Sequence, residues 1–92
     1  MKKVTMFHLH ECPYCKKAKA FMKELVEENP EYADVEFEMV EETEHPEIIE
    51  NYNYQAVPCY YIGDDNIFEA YFMIPDAELK EGVKSVYDAA LA

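Results

Sequence analysis

Residues 4–28 read VTMFHLHECPYCKKAKAFMKELVEE, and the hydrophobic period changes partway through. Lys3–Leu9 is a short, largely apolar segment whose Val4, Thr5 and Phe7 are β-branched or aromatic, which predicts a strand. His10–Glu11 makes a short turn. From Pro13 onward Ala18, Phe21, Met22, Leu25 and Val26 recur at intervals of three and four, with lysines and glutamates between them, so a helix follows. Proline suits the first helical position because its missing N–H would lack an intrahelical partner there anyway. Pro30 restricts the residue before it, which ends the helix near Asn29. The pair Cys12–Cys15 therefore falls at the joint between a strand and a helix.

Working outward, Val35–Val40 alternates Val35, Phe37 and Met39 with acids. This predicts a strand with one wet face carrying Glu36, Glu38 and Glu41. Pro46 starts a short helix to Tyr52, with Ile48, Ile49 and Tyr52 facing inward. Pro58–Ile62 is an apolar, aromatic strand, Gly63–Asn66 is a hairpin turn, and Ile67–Met73 returns. Asp76–Leu91 is the final helix, with an apolar stripe of Leu79, Val83, Val86, Tyr87 and Leu91. Gly82 lies inside it at a cost of roughly 1 kcal/mol relative to alanine. The order β-α-β-α-β-β-α implies an α/β fold with a four-stranded mixed sheet and three helices. With 92 residues, half of them apolar, a single domain spanning 1–92 is expected.

The formal charge is −12, and it is unevenly spread. Residues 1–23 contain Lys2, Lys3, Lys16, Lys17, Lys19 and Lys23 against Glu11 alone, whereas residues 24–79 contain acids and neither lysine nor arginine. Such an acidic chain does not suit nucleic acid, whose recognition rests on clustered positive charge. The acids fit a solvated, self-repelling surface that could also steer a partner with a basic docking face. No apolar run approaches the roughly 20 residues of a membrane span. The start resembles the basic region of a signal peptide, but His8, His10 and Glu11 break the hydrophobic stretch and no small-residue cleavage site follows. The expectation is a cytoplasmic monomer without membrane association. Three cysteines, an odd number with one close pair, point to a reactive or ligating pair and one further thiol rather than a disulfide scaffold.

Cys12 belongs at the helix N-terminus and Cys15 one turn inside. Unpaired backbone N–H groups and the positive end of the helix dipole favour a thiolate at Cys12, with Lys16, Lys17 and Lys19 adding screened positive potential. The two-residue spacing lets Cys15 reach Cys12 without unwinding the helix. This arrangement suits thiol–disulfide exchange: Cys12 attacks, and Cys15 resolves the mixed disulfide. Zinc and copper sites use the same spacing: a structural zinc site would draw two further ligands from Cys59, His8 and His10, and a soft-metal carrier using Cys12 and Cys15, with Cys59 as a further ligand, is the first alternative. A binding module with vestigial cysteines is the second.

Cys12-Pro13-Tyr14-Cys15 after a first strand, and Ala56-Val57-Pro58 opening an aromatic strand about forty residues later, together resemble the glutaredoxin branch of the thioredoxin superfamily over essentially the whole chain. The resemblance implies a thioredoxin/glutaredoxin-like fold and disulfide reductase chemistry on protein or mixed disulfides, with no bound cofactor. It also implies that Val57–Pro58 is a cis peptide facing the cysteines, and that the Val57 backbone pairs with an extended substrate. Four positions depart from the family pattern. Leu9 replaces a lysine that meets a glutathione carboxylate, Phe68-Glu69 replaces a Gly-Gly pair, and Phe72 falls near the place of an acid that holds the γ-glutamyl end. Phe68 and Glu69 side chains would tend to block the close approach that glycines allow. A thioredoxin-reductase-type flavoprotein is therefore the main alternative to glutathione as electron donor.

The remaining candidates each have two readings. Cys59 is a small buried hydrophobe or an auxiliary thiol for Cys12. Tyr14 shapes the entrance beside Cys12 and offers a substrate a flat face, or is an exposed loop aromatic. His10 tunes the Cys12 thiolate, or is an ordinary strand-end residue.

Overall fold

A computed structural model describes residues 2–92. Strand β1 (Val4–His8) leads into helix α1 (Pro13–Glu28), and a 3-10 turn (Pro30–Asp34) carries the chain to β2 (Phe37–Glu41). A short helix α2 (Pro46–Ile49) precedes β3 (Cys59–Ile62), β4 (Asp65–Glu69) and the closing helix α3 (Asp76–Leu91). The sheet order is β2-β1-β3-β4, with β1 and β2 parallel and the other two pairings antiparallel. This is the thioredoxin/glutaredoxin-like α/β fold, in the element order expected from the sequence.

Side chains alternate across the strands and so divide the core in two. Val4, Met6 and Tyr60 face α1 and α3, where they pack with Ala18, Leu25, Leu79, Val83 and Val86. Phe7, Val40, Cys59 and Tyr61 face the other way, covered by Ile48, Ile49, Tyr52 and Tyr54. Tyr52 lies edge-on to Tyr61 at 4.9 Å, while Phe7 stacks on Tyr54 at the same spacing, so this face is largely aromatic. Lys80 bridges α3 to α1 through Glu24 and Glu28 at 3.1 and 3.0 Å.

Four sequence expectations are corrected. The short helix that starts at Pro46 ends at Ile49 and does not run to Tyr52. In β2 the assignment of faces fails: Met39 is exposed, whereas Val40 and Glu41 are buried. Glu41 lies two residues from Met39 and therefore on its face rather than with Glu36 and Glu38, and burial changes along the strand, from exposed Glu38 and Met39 to buried Val40 and Glu41. Strand β4 stops at Glu69, four residues before Met73, which has φ 68. Tyr71, Phe72 and Met73 instead form an exposed apolar turn, with Phe72 81% exposed. Lastly, Ala90 rather than Leu91 completes the buried stripe of α3.

Gly82 is more than a weak helix residue. A Cβ there would lie 2.2–2.5 Å from the Phe68 ring, so its absence is what lets Phe68 lie against α3. The other constrained glycine, Gly63, has φ 60 and turns the β3–β4 hairpin, a conformation glycine adopts without steric cost.

A candidate dithiol active site

Cys12 is the N-cap of α1, and Pro13 occupies the first helical position. The Cys12 backbone N–H donates to the Leu9 carbonyl at 3.2 Å, closing the turn out of β1, and the Lys16 N–H donates to the Cys12 carbonyl at 3.1 Å. The cap therefore places the Cys12 sulfur over the open end of the helix, where Cys15 N–H donates to Cys12 Sγ at 3.3 Å. This is the position in which orphan N–H groups and the helix dipole support negative charge. Cys12 is half-buried and Cys15 fully buried, and both thiols are free. Burial pushes the Cys15 thiol up to about 12, partly opposed by a hydrogen bond from the Leu9 backbone. Cys15 is thus a protonated thiol one turn below a more accessible one.

The second sequence motif arrives at the same corner. Val57–Pro58 is a cis peptide, and the Cys12 thiol lies 3.9 Å from the Val57 carbonyl oxygen. The segment before it is pinned by a side chain that the sequence did not mark as structural. Glu69 Oε2 accepts the backbone N–H groups of Gln55 and Ala56 at 3.0 and 3.1 Å. Its other oxygen accepts from Asn66 Nδ2 at 2.9 Å and faces the Cys59 thiol at 3.9 Å. Hairpin register, which sets Glu69 opposite Cys59, is the signal that could have found it.

Tyr14 is not a free loop aromatic. Its ring packs against the main core, and its hydroxyl accepts the Met73 N–H at 2.8 Å. It therefore ties the start of α1 to the exposed Tyr71–Met73 turn. Lys17 lies 5.8 Å from the centre of the Tyr14 ring and pairs with Asp76 at 3.0 Å.

A cleft of about 490 Å³ beside Cys12 is lined by Leu9, His10, Glu11, Cys12, Glu41 and Thr43. His10 shares this cleft with Cys12, but its Nε2 is 3.2 Å from Glu44 Oε2, and its backbone N–H donates to Glu41 at 3.0 Å. Glu41 also accepts from the Thr43 hydroxyl and backbone N–H. Together these hydrogen bonds hold its carboxyl down at about 2. The buried carboxylate misread as part of a wet face is thus the brace of the β1–α1 and β2–α2 turns.

Cys59 does not join the pair. It follows the cis proline in sequence, yet its side chain packs on the aromatic face with Phe7, Val40 and Tyr61. Burial, then the Glu69 charge, pushes its thiol up to about 12. Among the described residues, the possible metal-binding side chains that converge are His10, Glu41 and Glu44, with ligand atoms within 4.8 Å of one another and no cysteine among them. Among the described residues no helix is long and apolar enough to cross a membrane.

Comparison with known proteins agrees with this geometry. The chain is similar to the oxidised form of mitochondrial thioredoxin 3 from Saccharomyces cerevisiae, with 26% identity and a TM-score of 0.60, covering 90% of this chain and 76% of that one. Comparison with curated proteins finds no match. The glutaredoxin family profile matches residues 4–67, which hold both the Cys12–Cys15 motif and Val57–Pro58. Fold, cysteine spacing and family together support a thiol–disulfide oxidoreductase-type enzyme, and the chain belongs to the glutaredoxin family.

Proposed function

We propose that the protein reduces disulfides in protein substrates through the Cys12–Cys15 dithiol, and that its electrons come from a thioredoxin-reductase-type flavoprotein rather than glutathione. The observation that carries the chemistry is the Cys15 N–H to Cys12 Sγ contact of 3.3 Å at a helix N-terminus. The Cys12 sulfur attacks one sulfur of the substrate disulfide, forming a mixed disulfide and expelling the first substrate thiolate. Cys15 then attacks Cys12 Sγ, the second substrate sulfur leaves, and that thiolate takes up the Cys15 proton. The protein ends with a Cys12–Cys15 disulfide, which two electrons from the donor reduce.

The choice of donor rests on four residues that depart from the family pattern. Phe68, Glu69 and Phe72 stand where the family pattern carries two glycines and an acid, and Leu9 stands in place of a lysine. Glu69 is committed to Gln55 and Ala56, while the surrounding acids repel an anionic tripeptide. A protein substrate has an extended backbone to offer Val57 and side chains to lay on the exposed Tyr71–Met73 turn. The test is turnover of a peptide disulfide with each donor system in parallel. NADPH with a thioredoxin-reductase-type flavoprotein should sustain it at least about tenfold faster than glutathione with its own reductase. Equal or faster turnover with glutathione would overturn the donor assignment. No turnover with either system, or with dithiothreitol, would overturn the reductase reading itself.

A further inference from the structure

The segment between α2 and β3 contains the backbone that faces Cys12, but no regular structure holds it. Its N–H groups at Gln55 and Ala56 both go to one carboxylate oxygen, Glu69 Oε2, at 3.0 and 3.1 Å. The second oxygen is also occupied, by Asn66 Nδ2 at 2.9 Å and by the Cys59 thiol at 3.9 Å. With donors on both oxygens the carboxylate cannot rotate freely, so it fixes the distance between the hairpin and the segment. The irregularity between Tyr60 and Tyr61 shifts the β3–β4 register and pairs Asn66 with Tyr61, three residues from Glu69. The next residue continues the link, because Ala70 N–H donates to the Pro58 carbonyl at 3.0 Å. One residue beyond Ala56, the Val57 carbonyl oxygen lies 3.9 Å from the Cys12 sulfur.

We propose that Glu69 is a positioning residue for substrate: its carboxylate fixes the Gln55–Val57 backbone so that an extended peptide pairs with Val57 in register with Cys12. This deepens the reductase reading and rests on it. The device is specific to this chain's own hairpin, since it needs an acceptor at 69 and a donor at 66 on the same strand. It acts through shape and hydrogen bonding rather than charge. Glutamine at 69 can still offer one oxygen to both N–H groups, and Asn66 can turn its own amide to accept from the new NH2 group. Alanine can do neither.

The experiment compares wild type, Glu69→Ala and Glu69→Gln in steady-state reduction of a peptide disulfide, alongside NMR hydrogen exchange of the Gln55 and Ala56 amides. Each variant is first checked for cooperative unfolding. In Glu69→Ala the two amides should exchange at least about tenfold faster. KM should rise about tenfold with kcat within about twofold, because misplacement of the docking backbone weakens substrate positioning. Glu69→Gln should stay within about threefold of wild type in KM and keep both amides protected. Unchanged exchange in Glu69→Ala would overturn the anchoring, and faster exchange with unchanged KM would overturn the role in docking. If Glu69→Gln behaved like Glu69→Ala, charge rather than geometry would be at work. Wild-type turnover of the peptide disulfide shows separately that the reductase reading stands.

Discussion

On the α1 face of the sheet, Cys15 is buried beneath a helix N-terminus with the Cys12 sulfur 3.3 Å from its backbone nitrogen. On the α2 face, Cys59 is buried among Phe7, Val40 and Tyr61. Both thiols are pushed up to about 12, and burial is the first cause in each case. Acidity therefore does not separate Cys15 from Cys59. What separates them is a neighbour: Cys15 has a half-exposed partner sulfur at the helix cap, whereas Cys59 has aromatic rings and the Glu69 carboxylate. A protonated, buried thiol serves redox chemistry when its target sulfur is already in place.

The largest test of this contrast is removal of each sulfur in turn. Cys12→Ser should lower disulfide reduction by at least about a thousandfold, since it removes the nucleophile on which the other groups act. Cys15→Ser should accumulate a mixed disulfide between Cys12 and substrate, visible as an intact-mass adduct. Cys59→Ala should keep turnover within about twofold of wild type. Loss of activity in Cys59→Ala, with folding intact, would break the contrast.

Packing on the two faces gives the next effects. Phe7 is fully buried and touches Tyr52, Tyr54 and Tyr61, so Phe7→Ala should cost about 3–5 kcal/mol in urea unfolding. On the other face, Gly82→Ala tests whether helix propensity or packing wins. Alanine favours the helix by about 1 kcal/mol, but its Cβ would collide with the Phe68 ring, and overpacking costs about 1–3 kcal/mol. The expected result is a net loss of about 1 kcal/mol. A gain in the urea midpoint would mean that Phe68 moves freely.

The smallest effect concerns acid stability beside the dithiol corner. The Glu41 carboxyl is held at about 2, below its ordinary 4.5. Its hydrogen bonds therefore stabilise the fold fully above pH 4.5, and that contribution is lost as pH falls towards 2. Glu41→Gln should lower stability at neutral pH and flatten the acid limb between those values, measured by urea midpoints across pH. An acid limb as steep as wild type would assign the acid sensitivity to other groups.

The contrast was partly legible in the sequence, for identifiable reasons. Cys12–Cys15 and α1 could be read because the change from strand to helix period, Pro13 and the cysteine spacing all lie within a few residues. The bounds of α3 at Asp76 and Leu91 came from an unbroken apolar stripe. The β2 faces were misread because Met39 and Glu41 exchange their usual environments: one reaches solvent, while the other is buried against turn N–H groups. The end of β4 was missed because Tyr71-Phe72-Met73 has strand composition but no partner strand. Gly82 and Glu69 act through contacts across the fold, with Phe68 and with Gln55–Ala56. Local periodicity carries no trace of such contacts. The position of Cys59 beside the cis proline suggested proximity to Cys12, but alternation along β3 turns it to the other face.

The most direct test of the account is intact mass after thiol trapping, on protein equilibrated across a graded series of thiol–disulfide redox buffers. The account predicts reversible loss of two thiols, mapped by peptide analysis to Cys12 and Cys15, with Cys59 untrapped until the chain is unfolded. A reversible couple that included Cys59, or no couple at any physiological potential, would contradict it.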